Sequence, residues 1–300
     1  MLVTLLGALI SLCSVFESFS QEMVERNISP STFKQKFAQT LLIVHFNHPH
    51  YDNIPFLKEL YSPYFPNIAF YGEKAHPQVT QVYTHYGFMF SRVMIDAMIR
   101  YPQYSGYLFL QDDCILNVWN YSNHDLNKIW FAVQFNMQPN FTGFMKVDKL
   151  PPHPIQVNVE SWPHWSNAWG IVPARKAYHQ LNAKELAYLE RNVGAKNAIT
   201  AIICDMLYVP GRLRQQTIRL SELFRDTFCE ISVPTLLCCL DLITNWEQLA
   251  MCWDMQQTVT THYPSHFSWI HPIKLSKSSN RTFLLNVFRQ HFPRVALAAI

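Results

Sequence analysis

From about residue 40 the chain alternates short apolar runs with stretches in which apolar residues recur every three or four positions. "LLIVHF" (41–46) and "NIAFYG" (67–72) predict buried strands, and "IPFLKELY" (54–61) between them predicts a helix with Pro55 in its first turn. Strand, helix and strand in that order make a βαβ unit. Phe90, Val93, Met94, Ala97, Met98 and Tyr101 then recur at helical spacing, with Ser91, Arg92, Asp96 and Arg100 between them. Pro102 and Gly106 end that helix and deliver the chain to a strand within "YLFLQDDCIL" (107–116). Further helical patterns cover 174–192 and 212–228, separated by the strand-like "MLYVP" (206–210). The stretch 134–168, with "MQPNFTGF", "LPPHP" and "WPHW", has no period and predicts long loops, with room for an edge strand, over a binding face. No internal repeat, low-complexity tract or linker divides the pattern, which predicts one α/β domain.

Composition agrees with a globular protein. A chain of 300 residues that is 49% hydrophobic and 15% charged can bury a sizeable core. The net charge of +3 is dispersed, with no Lys/Arg-rich run, which sets aside nucleic acid as a partner.

The N-terminus changes the picture of where the chain goes. Met1 to Phe16 carry no charge, and the first charged residue is Glu17. That run has about the length of a signal-peptide core and falls short of the roughly 20 residues that span a bilayer. Residues 1–20 therefore read as a signal peptide, with Ser18 and Ser20 before a cleavage at Gln21, or as a short signal anchor that would tie the chain to a membrane. Either directs the chain to the secretory pathway, as a Golgi or ER luminal or secreted protein. Asn27, Asn120, Asn140 and Asn280 begin glycosylation sequons. If Cys13 leaves with the signal, Cys114, Cys204, Cys229, Cys238, Cys239 and Cys252 remain, an even set that permits disulfides in an oxidising lumen. Cys238 and Cys239, inside "TLLCCL", read instead as small buried apolar side chains.

The candidate chemistry begins with Asp112 and Asp113 at the end of an apolar strand. In open α/β sheets the carboxyl ends of the strands are where ligands bind. Two adjacent carboxylates repel one another, and a bound cation or nearby Arg and Lys hold them ionised. Mg²⁺ and Mn²⁺ suit such a pair because they take one or two carboxylates and complete their shells with phosphate oxygens and water. The bland alternative is a helix cap or an Arg pair. A second constellation, "HFNHPHYD", packs His45, His48, His50 and Asp52 after a strand, and these are the ligand types of a zinc hydrolase.

An apolar strand followed by x-Asp-Asp-x-aliphatic resembles the Asp-x-Asp motif of GT-A-fold glycosyltransferases, which move a sugar from a nucleotide sugar to an acceptor. "FCEISVPTLL" (228–237) resembles the Cys-Glu-Asp-aliphatic segment of exostosin-like C-terminal domains, and "HPIKLSK" (271–277) resembles a His-x-x-Lys C-terminal element of GT-A enzymes. "SNAWGIVPARKAY" (166–178) is similar to the acceptor-side loop and helix of such enzymes. The resemblance spans roughly residues 41 to 277.

It implies a GT-A-like, Rossmann-type mixed sheet flanked by helices over about 38–295, Mn²⁺ or Mg²⁺ as cofactor, a nucleotide-sugar donor (a UDP-sugar first), and a glycan or glycoprotein acceptor. Carried over, Asp113 ligates the metal and His271 completes its site, while Asp112 contacts the metal or ribose and Lys274 binds the diphosphate. Glu230 works at the reaction centre, and His45 and Asn47 lie nearest the nucleotide base and ribose. Gln111 stands where the family often has a third acid, and Ile231 where its Asp follows the Glu, which makes a non-catalytic carbohydrate-binding relative a further alternative. Read without the family, Glu230 is a surface acid at a helix start and His271 a polar turn residue.

Overall fold

The computed structural model describes residues 29–132, 156–159, 169–202, 204–253 and 263–292. The signal segment, the sequons at Asn27 and Asn140, Cys13, Trp165 and most of the loops over 134–168 lie outside the described residues.

The centre is β1 (Thr40–His45), buried along its whole length. It pairs in parallel with β2 (Ile68–Gly72) on one side and β4 (Gly106–Gln111) on the other. β3 (Thr80–Gln81) extends the parallel set beyond β2. On the other side β9 (Met206–Pro210) lies antiparallel to β4, followed by β6 (Trp130–Phe131) and β10 (Glu247–Gln248). The order β10-β6-β9-β4-β1-β2-β3 is a seven-stranded mixed sheet. With helices on both faces it is the Rossmann-type α/β fold expected.

Alternation of side chains across the pleat explains the two cores. Leu41 and Ile43 of β1, with Tyr107 and Phe109 of β4, face one core, which α3 (Ser91–Arg100) lines through Val93, Met94, Ala97 and Met98. Leu42 and Val44, with Leu108 and Leu110, face the other, covered by α2 (Ile54–Tyr61), α1 (Pro30–Lys36) before β1, and the C-terminal α8 (Ser278–His291). A strand buried on both faces has no polar alternation, which is why "LLIVHF" reads as a continuous apolar run. Each such side chain contributes about 1.5–3 kcal/mol by leaving water.

The helical run predicted over 174–192 is two helices, α4 (Ile171–Tyr178) and α5 (Ala183–Val193). Asn182 breaks it: its side chain accepts the Glu185 N–H at 3.0 Å, and the Glu185 carboxylate accepts the Asn182 N–H at 2.9 Å. This reciprocal cap starts a new helix whatever the apolar spacing across it. The run over 212–228 likewise stops early, as α6 (Arg214–Leu223), and α7 (Cys229–Leu240) follows it.

A second, three-stranded sheet was not expected. β5 (Ile115–Leu116), one residue beyond the acid pair, lies antiparallel to β12 (Trp269–His271), which pairs in parallel with β11 (Met251–Trp253). A third, of β7 (Gln156–Asn158) and β8 (Ala198–Thr200), lies beside α7.

The six cysteines from Cys114 to Cys252 are buried and unbridged, so the disulfides that their even number permits are absent from them. Cys238 and Cys239 sit in the core as small apolar side chains. Asn120 and Asn280 are taken up by the fold. The Asn120 side chain donates to the backbone oxygens of Ser265 and Phe267 at 2.8 and 2.7 Å, and that of Asn280 to Lys274 O at 3.0 Å.

Candidate functional site

The strand order reverses between β1 and β4: the chain moves outward from β1 to β2 and β3, then returns to β4 on the opposite side. The crevice at their carboxyl ends is the topological switch point, where open α/β sheets bind ligands. Asn47 closes one wall and Asp112 and Asp113 the other, with His45 and Gln111 packed against each other behind them. In-register pairing sets His45 opposite Gln111, and the next N–H, that of Asp112, donates to His45 O at 2.9 Å.

The small sheet brings a distant segment to this wall. Antiparallel register pairs Trp269 with Leu116 and Ile270 with Ile115, so the chain running past Ile270 must approach Asp113. The Ile273 N–H then donates to Asp113 O at 2.8 Å. His271 thereby lies with Nε2 3.2 Å from Asp113 Oδ1, and its Nδ1 is 3.1 Å from Asp205 Oδ2. Asp205 directly precedes β9, and its carbonyl accepts the Gln111 N–H at 2.9 Å. Three segments far apart in sequence thus meet at one imidazole.

The acids differ in charge. Burial, then repulsion from Asp113, pushes Asp112 up to about 8, although the Asn47 N–H stabilises its carboxylate. Burial also works against a charge on Asp113, but contact with His271, with Lys274 nearby, holds it below the usual range. For His271 burial again opposes the charge, and Asp205 and Asp113 overcome it, raising the ring to about 9. Asp205 is raised chiefly by burial, with His271 acting in the opposite sense. Lys274 is exposed, on the loop that the Asn280 side chain pins.

Glu230 occupies the first turn of α7. Pro234, four residues on, has no N–H to give the Glu230 carbonyl, which instead accepts the Ile202 N–H at 2.9 Å. That bond ties the start of α7 to the chain leading into Asp205. Burial, then the negative charge of Asp205, raises Glu230 to about 7, with His271 working the other way. The next residue, Ile231, is fully buried in the core. The position where the family carries its second acid is here a packing position, and Gln111 is likewise turned inward on His45.

His45 does not face the crevice. Its ring is fully buried, with Nδ1 3.2 Å from Gln111 Oε1 and Nε2 3.1 Å from Thr84 Oγ1. Both nitrogens are engaged, so the ring neither reaches a nucleotide directly nor offers a lone pair to zinc. His48 and His50 are exposed, with ring centres 6.0 Å apart, and Asp52 is exposed as well. The zinc constellation read from "HFNHPHYD" is therefore not assembled around His45. Asn47 remains at the crevice, its buried Oδ1 without a hydrogen-bond partner. A Cβ at Gly87 would lie 2.0 Å from that oxygen, and Gly87 has φ +85°, so glycine meets two demands there. His85 and Tyr86 before it also have positive φ, 47° and 56°, which makes this turn a strained rim of the site.

The residues at the switch point fit a hard divalent cation by their chemistry. Cis ligands of an octahedral ion at about 2.1 Å lie about 3 Å apart, close to the 3.2 Å between Asp113 Oδ1 and His271 Nε2. Asp113 Oδ1 and Asp205 Oδ2 are buried and receive no aligned hydrogen bond, even with the ring beside them. Among the described residues no three or more His, Cys, Asp or Glu side chains form a ready-made metal cage. Mg²⁺-type sites, however, draw much of their shell from substrate phosphates and water. Sequence reasoning missed Asp205; a lone Asp before an apolar run carries no motif, and only its pairing with β4 brings it to the site.

These features define a Rossmann-type α/β protein with an acidic site at its switch point. No family model matches the chain. The chain is 25% identical over 152 residues to an Arabidopsis thaliana protein named "Probable glycosyltransferase STELLO1". The match covers 49% of this chain and spans 18% of that relative's length. Among the described residues no helix is long and apolar enough to cross a membrane.

Proposed function

We propose that the chain is a glycosyltransferase domain, over about 38–295, that transfers a hexosyl or N-acetylhexosaminyl group from a nucleotide sugar, a UDP-sugar first, to a glycan or glycoprotein. The observation that carries this reading is the convergence of Asp113 and His271 at the sheet's switch point, with the buried Asp113 Oδ1 left without an aligned donor. The likeness to the Arabidopsis thaliana protein supports the same class, and with the uncharged N-terminal run it favours the Golgi or ER lumen.

Asp113 and His271 would hold Mn²⁺ or Mg²⁺, with Asp112 behind them toward the metal or ribose. Bound there, the ion would neutralise the charge growing on the leaving diphosphate. Lys274, exposed on its pinned loop, binds the same diphosphate. Asn47 borders the nucleoside end of the crevice, its Oδ1 buried against Gly87, and His45 acts from behind, bracing Gln111 and the end of β4. Glu230 stabilises the positive charge that develops on the sugar, or takes the acceptor proton; a carboxyl at about 7 is poised for the second role.

The test separates binding from chemistry. Glu230→Gln should bind donor near wild type by calorimetry with Mn²⁺ and lower turnover by about 10²-fold or more, since a positioned acid or base contributes about that. Loss of donor binding in this variant would move Glu230 into the donor pocket. A wild-type protein that binds donor, turns over with no acceptor or water, and is unaffected by Glu230→Gln would establish the non-catalytic alternative.

A further inference from the structure

We infer that Asp205 is the positioning residue for His271: it holds the imidazole from the Nδ1 side so that Nε2 faces Asp113. The inference rests on the functional reading above, for it gives His271 the geometry that a cation shared with Asp113 requires.

Asp205 is placed by the sheet rather than by a loop. The pairing of β4 with β9 sets Leu110 opposite Met206, and the Gln111 N–H donates to the Asp205 carbonyl at 2.9 Å, continuing that ladder by one residue. The Asp205 backbone is therefore as fixed as the strand that delivers Asp112 and Asp113. The His271 backbone is fixed separately, by pairing with Trp253 of β11. With both backbones held, what remains free is the rotation of the ring, and the two carboxylates decide it.

Asp205 Oδ2 lies 3.1 Å from Nδ1 and Asp113 Oδ1 3.2 Å from Nε2, and the side chains of Asp205 and His271 are each 14% exposed. A flip of the ring would turn Cδ2 and Cε1 toward the two acids in a poorly solvated site, withdrawing both N–H groups from them. A carboxylate on the far nitrogen of a metal-bound histidine fixes the ring's tautomer and orientation and raises its basicity, and removing such a partner typically costs 10–100-fold in metal affinity. The Ile202 N–H, three residues before Asp205 in sequence, donates to Glu230 O at 2.9 Å at the start of α7.

The experiment uses the whole chain with histidine labelled by ¹⁵N. Mn²⁺ uptake in the presence of UDP is counted by electron paramagnetic resonance, and the His271 ring is followed by NMR, metal-free and with diamagnetic Mg²⁺. In wild type the Nδ1–H proton should be protected and observable in both states, and in the Mg²⁺ form Nε2 should carry none. Asp205→Asn should expose or erase the Nδ1–H signal and weaken Mn²⁺ about 10- to 100-fold, while Asp205→Glu, which keeps the carboxylate, recovers part of that loss. Mn²⁺ affinity and ring signals unchanged in Asp205→Asn would overturn the inference. Should Asp205→Asn fail to fold, an unprotonated Nδ1 in Mg²⁺-loaded wild type would overturn it by itself. Wild type that takes up no Mn²⁺ with or without UDP fails the functional reading instead, and the protection of Nδ1–H in metal-free protein still decides for or against Asp205.

Discussion

His45 and His271 each stand at the end of a strand near the switch point, both shielded from water, and they differ in charge: His45 is neutral and His271 is positive. His45 hydrogen-bonds only the neutral Gln111 and Thr84, and burial depresses it to about 4 against the weaker pull of Gln111 and Glu73. His271 lies between Asp113 and Asp205 and is raised to about 9 against the same kind of burial. Desolvation acts on both rings in one direction; the chemistry of the partners decides the outcome. One histidine is a structural brace and the other is the positive centre of an acidic site.

The largest effect is expected where the charged partner is removed. Asp113→Asn should abolish Mn²⁺-dependent UDP binding, read by calorimetry, while circular dichroism shows the fold intact. Unchanged affinity would remove Asp113 from the metal site.

The neutral side of the comparison can be tested through pH. Unfolded, His45 has its ordinary value of 6.5, and folded it is near 4, so below pH 6.5 the unfolded chain binds a proton that the folded chain refuses. Stability from this ring is complete above about pH 6.5 and falls as pH drops toward 4, by about 3 kcal/mol in total. Urea unfolding of wild type and His45→Gln at intermediate pH values should show a steeper slope in wild type, since His291, which burial also depresses to about 4, and His124 contribute equally to both. An equal slope in both would assign the pH dependence to another group.

Lys274→Ala should weaken donor binding by about 1.5–3 kcal/mol, as for a hydrogen bond to a charged group, with little change in thermal stability because the side chain is exposed. The comparison itself is sharpened by Gln111→Glu, which gives His45 the acidic neighbour it lacks. Its pKa should rise by about 1–3 units in an NMR titration, the shift an adjacent opposite charge produces. A ring that stayed near 4 would mean that burial, not partner chemistry, governs the site.

Local pattern was legible where a single element decided it. The strand at 206–210 and the helix at 54–61 fall where the apolar spacing put them, and β1 and β2 are displaced by only one residue at their ends. These elements are continuous in sequence and bury a periodic face, so their periodicity survives in the one-dimensional string. The break at Asn182 was missed because apolar spacing runs through a cap that only hydrogen-bond chemistry reveals.

The sequence by itself determined the α/β alternation, the acid pair at a strand's end and the residue types that suit a cation and a diphosphate. Tertiary structure alone decided which of them meet. Asp113 follows β4, Asp205 precedes β9 and His271 ends β12, and they converge because an antiparallel pairing and a second small sheet return distant chain to one edge. His45 leaves the crevice for the same kind of reason, since register sets it against Gln111. Contact between residues far apart in the chain depends on register and strand order, which are settled by the packing of whole sheets, and no local spacing encodes them.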